Sequence, residues 1–183
     1  MEKEVKGIFE KTELAHYVSL LYEKEYNEKI SSIKLQKSIY FLFAYWAGFG
    51  KKLSEEIKEK KEKGKINEIY LFKNPRFQAR QFGPVEIDIF SEYNENIKLS
   101  DIENINESIE DISKKLKKIN SEAKNFVDSF LTKNIFKISD FSLAIRSHKD
   151  LSWKKAWKTK ENKNKFISSE KIVEEYFKKY LND

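Results

Sequence analysis

Cysteine is absent from the 183 residues, and proline and glycine are scarce, with two and five copies. Without a thiol the chain has no cysteine nucleophile, no iron–sulfur ligand and no cysteine-based zinc site, and it must fold without disulfides, which suits a reducing compartment. Two histidines, His16 and His148, lie far apart and make a poor metal set once cysteine is gone, so no cofactor is expected. The signatures of a P-loop, a dinucleotide-binding glycine turn, a zinc-protease helix and an EF-hand are missing as well. The opening stretch, MEKEVKGIFEK, alternates charges without an apolar core, so no signal peptide or membrane anchor is read there and the expected location is cytoplasmic.

Charge is abundant but nearly balanced: 36 basic against 30 acidic residues leave a net +6. The two signs are mixed along most of the chain, the pattern of solvated helix faces. A single domain spans 1–183, with its core at about 12–180, because a chain of this size buries enough surface to hold itself together and no long linker divides it.

One stretch breaks the charged pattern. IKLQKSIYFLFAYWAGFG, at 33–50, carries no charge after Lys37 and is too short for a membrane span. It reads as a helix buried nearly all round, with Ser31 or Ser32 as its N-cap and Gly48 or Gly50 as its stop. Before it, Leu14, Val18, Leu21 and Tyr22 recur at helical steps behind a capping Thr12. After it, LSEEIKEKKEKGK at 53–65 reads as a separate solvated helix that ends near Gly64.

Between residues 66 and 82 a small β-ribbon is expected, because Phe77 and Ala79 alternate with Gln78 and Arg80. Gly83-Pro84 reads as a sharp turn, with Gly83 needing a positive φ or a close approach and Pro84 opening a helix through VEIDIF. Ser100 with Glu103 forms a capping box. The apolar steps from Ile109 to Leu131 give one long helix, or two broken near Asn120-Ser121. Ser139 caps a helix whose Phe141, Ala144 and Ile145 point inward; Ser152 caps WKKAW; Ser169 caps a last amphipathic helix. The fold class is therefore mainly α, a compact multi-helix domain around a buried central helix.

Three separated patterns form a set: IKLQKSIYFLFAYW at 33–46, FQARQFGPV at 77–85 and SHKDLSWKKAW at 147–157. In this order they resemble the Panacea domain family, which includes SocA-like antitoxins and phage-associated GepA-like proteins. The first pattern is similar to the family's L-K-L-Q-K-L-L-Y through Leu35, Gln36, Lys37 and Tyr40. The second matches F-x-A-x-x-x-G-P-V in Phe77, Ala79, Gly83, Pro84 and Val85, and the third matches through Leu143, Ser147, His148 and Trp153. Arg80 departs from the pattern where tryptophan is common, and Ser152 stands where a proline usually precedes the tryptophan.

The resemblance implies an antitoxin that neutralises a cognate toxin by direct contact, without catalysis. It also allows an adaptor that delivers a toxin to a ClpXP-type protease. Composition leaves a third reading, nucleic-acid binding by Lys154, Lys155, Lys158, Lys160, Lys163 and Lys165 with Trp153 and Trp157 as stacking rings. No membrane partner is expected. Lys34, Gln36 and Lys37 are expected at the exposed start of the central helix, where a partner would meet them; His148 is expected to cap a helix C-terminus and fix the turn before Trp153. A Ser147–His148–Asp150 triad is disfavoured by the adjacency of serine and histidine.

Overall fold

The computed structural model describes residues 6–59, 70–95, 105–158 and 166–181. Eight helices and a three-stranded antiparallel sheet make up these residues, so the chain is mainly α, as its periodicity predicts. Gly64, Ser100, Glu103, Lys160, Lys163 and Lys165 lie outside the described residues. No described helix is long and apolar enough to cross a membrane.

The first helix, α1, spans Lys11–Tyr26 and buries Leu14, Ala15, Tyr17, Val18 and Leu20. It starts one residue before the expected cap Thr12 and closes on Asn27, whose left-handed backbone (φ 54°) lets its N–H bond the Glu23 carbonyl at 2.8 Å. The central helix α2 spans Ser32–Glu59. Ser31 caps it as expected, its hydroxyl accepting from the Lys34 N–H at 3.0 Å.

The glycines do not stop α2; the helix runs through both and continues into the charged run that was expected to form a separate helix. Gly48 is instead the place where the last helix, α8 (Ser169–Leu181), crosses α2: a Cβ there would sit 2.8 Å from Tyr176 Cβ and 2.9 Å from its carbonyl carbon. Glycine costs about 1 kcal/mol in a helix relative to alanine. The crossing offsets it by burying Ile172, Val173 and Tyr176 of α8, with the Tyr176 ring against Tyr40 and Tyr45 of α2, each large apolar side chain contributing about 1.5–3 kcal/mol.

Strand β1 (Phe77–Arg80) is the middle of the sheet, flanked by β2 (Gly83–Glu86) and the short β3 (Phe166–Ile167). Phe77 and Ala79 face the core, as the alternation predicts. The turn is Gln81-Phe82, not Gly83-Pro84, and Pro84 lies inside β2 opposite Ala79. Proline is tolerated there because β2 is an edge strand. Helix α3 (Ile87–Glu95) begins three residues later than expected. The buried Glu86 carboxylate supplies its cap, accepting from the N–H groups of Asp88 and Ile89, both at 3.0 Å. Lys11 and the Arg76 N–H occupy its other oxygen at 2.9 and 3.0 Å.

Two helices, α4 (Ile105–Ile119) and α5 (Ser121–Asn134), break at Asn120, whose side chain accepts from the Ala123 N–H. Helix α6 (Asp140–His148) is capped by Ser139 as expected, but its buried face is Leu143, Ala144 and Ser147. Phe141 and Ile145, expected inside, face water, Phe141 at 74% exposure. Helix α7 (Leu151–Trp157) starts at its N-cap Asp150, so Ser152 lies within the helix rather than capping it. Ser168, one residue before the expected Ser169, bonds the first turn of α8.

Candidate functional site

Gly83 anchors the region where all three sequence patterns meet. Its φ of +96° falls where residues with a Cβ are strained, and a Cβ there would overlap the Ser147 hydroxyl and lie 3.0 Å from Lys37 Nζ. Both predicted demands, positive φ and close approach, hold at this one residue. The close approach brings α6 and the start of α2 against the hairpin.

As an edge strand, β2 has backbone groups that no fourth strand satisfies, and side chains of α2 take that role. Gln36 accepts from the Glu86 N–H at 2.8 Å and makes a longer contact of 3.4 Å from its amide nitrogen to the Glu86 carbonyl. Lys37 donates to the Pro84 carbonyl at 2.6 Å. The expectation that Lys34, Gln36 and Lys37 lie exposed is thus overturned: all three are buried, Gln36 and Lys37 because the hairpin folds over the first turns of α2. Lys34 turns the other way, onto the carbonyls of Phe136 (3.3 Å) and Ile138 and toward the Asp140 carboxylate at 3.4 Å.

One turn further along α2, Tyr40 is fully buried and packs edge-on against Phe77, with ring centroids 5.5 Å apart. Its hydroxyl donates to Asp150 Oδ2 at 2.6 Å, and Tyr176 donates to the same oxygen at 2.8 Å. Lys179 meets Oδ1 at 2.7 Å. Burial and then the neighbouring carboxylate push the Tyr40 hydroxyl well above its usual pKa; for Tyr176 burial comes first, followed by Tyr40 and Asp150. Asp150 therefore ties α2, α7 and α8 together. Glu175 reinforces the joint by accepting from the Leu151 and Ser152 N–H groups at 2.7 and 2.9 Å.

The third pattern closes over the hairpin turn. Trp153 donates its indole N–H to the Arg80 carbonyl at 3.2 Å. His148 stacks on Trp153 with centroids 4.2 Å apart, and Trp157 stacks on Trp153 at 5.6 Å. His148 was expected to cap a helix C-terminus. Desolvation holds its pKa below the usual imidazole value, the Lys37 charge lowers it further, and a hydrogen bond to the Gln81 backbone opposes both. It does fix the position of Trp153, by stacking rather than by capping. Ser147 donates to the Ala144 carbonyl at 2.8 Å and Asp150 is held by the two tyrosines, so neither is disposed to form a triad with His148.

Beside these contacts lies a cleft of about 480 Å³. Ser32, Gln36 and Lys37 line one wall, and Arg80, Gln81 and Phe82 of the hairpin line another; Phe90 and Trp157 add apolar surface. Arg80 lays its guanidinium over Phe90, 4.3 Å from the ring centroid, while its buried Nε has no hydrogen-bond partner. Phe82, at the turn, is 56% exposed. A second recess, of about 430 Å³, lies between α7 and α8 and is lined by both signs of charge, including Lys155, Lys171, Glu174 and Glu175. Only the first combines cations with an aromatic wall.

Of the residues singled out from sequence, the structure brings Gln36, Lys37, Tyr40, Phe77, Arg80, Gly83, Pro84, His148 and Trp153 around one hairpin, and directs Lys34 to the Phe136 and Ile138 carbonyls instead. Asp150 and Glu86 were missed as organising groups. A signal for Asp150 existed, since it is an N-cap residue type directly before the LSWKKAW helix. Compared with protein-family models, curated proteins and solved structures, the chain matches none.

Proposed function

We propose that the protein is a binding protein of the antitoxin kind, which neutralises a cognate toxin by direct contact and performs no chemistry of its own. One observation carries this reading. The three stretches that resemble the Panacea family, remote from one another in sequence, fold around a single hairpin, and the elements that bear them present large apolar side chains to water. Phe82 projects from the turn, and Phe141 with Ile145 forms an exposed stripe four residues apart on α6. Exposed apolar surface grouped on rigid elements is the usual mark of a protein partner.

Nucleic-acid binding is less well supported. Trp153, one of its two stacking rings, is buried and already stacked on His148 and Trp157.

Co-expression with the adjacent gene tests the proposal. The expected result is that the neighbouring product arrests growth alone, is harmless with this protein present, and co-purifies with it. A neighbour that is harmless alone, or that stays toxic in the presence of this protein, defeats the reading.

A further inference from the structure

Lys34 and Lys37 lie almost one turn apart on α2 and both are buried, yet their surroundings differ. Lys34 has two carbonyls and the Asp140 carboxylate around it. Lys37, 1% exposed, donates to the Pro84 carbonyl, and burial alone pushes its ammonium pKa down to about 7, with no carboxylate offsetting it. An ammonium has three N–H donors, and a buried charge is costly unless it is paired. Lys37 lines the cleft. So does Arg80, whose Nε is buried without a partner. Two cations and no carboxylate therefore meet an aromatic wall, in a volume within the range of sites that enclose a small organic group.

We propose that this cleft receives an acidic side chain, or the terminal carboxylate, of a hydrophobic segment of the partner protein. Lys37 and Arg80 meet the carboxylate, while Phe82, Phe90 and Trp157 flank the apolar part. The proposal rests on the reading of the chain as a protein-binding module. Charge complementarity selects the occupant: a cationic segment is repelled, and a purely apolar one leaves the buried Lys37 and the half-buried Arg80 without a counter-charge.

Phenylacetate and its neutral analogue phenylacetamide probe the cleft in the intact protein, with the Trp157 indole resonance as the reporter. Phenylacetate is expected to bind at least tenfold more tightly than the amide. Lys37→Met should weaken phenylacetate binding tenfold or more, and Arg80→Gln several-fold, with thermal melts confirming that each variant is folded. Equal binding of acid and amide overturns the proposal, as does wild-type phenylacetate affinity in a folded Lys37→Met variant. If Lys37→Met does not fold, Arg80→Gln decides by the same criterion.

The toxin from the co-expression experiment identifies the source of the carboxylate. A complex weakened at least tenfold by either substitution supports a segment of the partner. A complex formed with unchanged affinity overturns the proposal, assigning the cleft at most to a free organic acid, and leaves the antitoxin reading standing. A harmless neighbour defeats that reading and this proposal together, whereas failure of the probes alone defeats only the latter.

Discussion

Two buried ionisable side chains, Asp150 and Lys37, are treated in opposite ways. Asp150 is fully engaged: two tyrosine hydroxyls and the Lys179 ammonium surround its carboxylate. Lys37 has a carbonyl and an opening. A buried charge with every position filled holds elements together. One that is only partly satisfied, next to a cleft, is equipped to meet something from outside. The two centres therefore separate what stabilises this protein from what the proposed reading assigns to recognition.

The largest expected effect is at the filled centre. Asp150→Ala strands the Tyr40 and Tyr176 hydroxyls in the core and frees Lys179, and should cost about 3–5 kcal/mol in urea unfolding. A loss below about 1 kcal/mol would mean that Asp150 is not the joint between α2, α7 and α8. Next comes Gly83→Ala, where positive φ alone costs about 1–3 kcal/mol and the new methyl overlaps the Ser147 hydroxyl. Adding Ser147→Ala should recover the overlap but not the strain. Complete recovery in the double variant would show that the backbone conformation is not limiting.

At the partly satisfied centre the effect is a slope. The folded chain holds the Lys37 proton only up to about pH 7, the unfolded chain up to 10.5. Between those values the unfolded state binds more protons, so this residue makes stability rise with pH, by at most about 1.4 kcal/mol per pH unit. The gain is absent below pH 7 and complete above 10.5. Lys37→Met lacks it, so the difference between variant and wild type should favour the variant most at or below pH 7 and move toward the wild type as pH rises. A pH-independent difference would place Lys37 in contact with water or with a counter-charge. Smallest is Phe141→Ser, expected within about 0.5 kcal/mol of wild type in stability because the ring is exposed. On the binding-protein reading it nonetheless weakens the toxin complex several-fold, and unchanged affinity would remove the α6 stripe from the contact.

Local chemistry made the boundaries legible. Ser31, Asn120 and Ser139 cap helices because each has a short side chain that accepts from a nearby N–H, a property visible within four residues. What sequence could not show was which face meets which element. Phe141 and Ile145 form a fair apolar stripe, yet α6 turns Leu143, Ala144 and Ser147 inward because Ser147 faces the close approach of Gly83. Gly48 had the chemistry of a stop but lies where α8 crosses. The site residues were legible as a set through the family resemblance, and their roles were not: Tyr40 and Asp150 meet across 110 residues, and Lys37 is buried only because a hairpin nearly fifty residues later covers it.

Direct titration of the Lys37 ε-ammonium by NMR would settle the contrast between the two centres. The groups that face it are the Pro84 carbonyl from β2, the His148 imidazole from the end of α6, the Gln36 amide from its own helix and the Arg80 guanidinium across the cleft. None is an acid. The expected midpoint is about 7 in the free protein, moving upward when phenylacetate enters the cleft and places a carboxylate beside the ammonium. A midpoint near 10.5, unmoved by phenylacetate, would contradict the account.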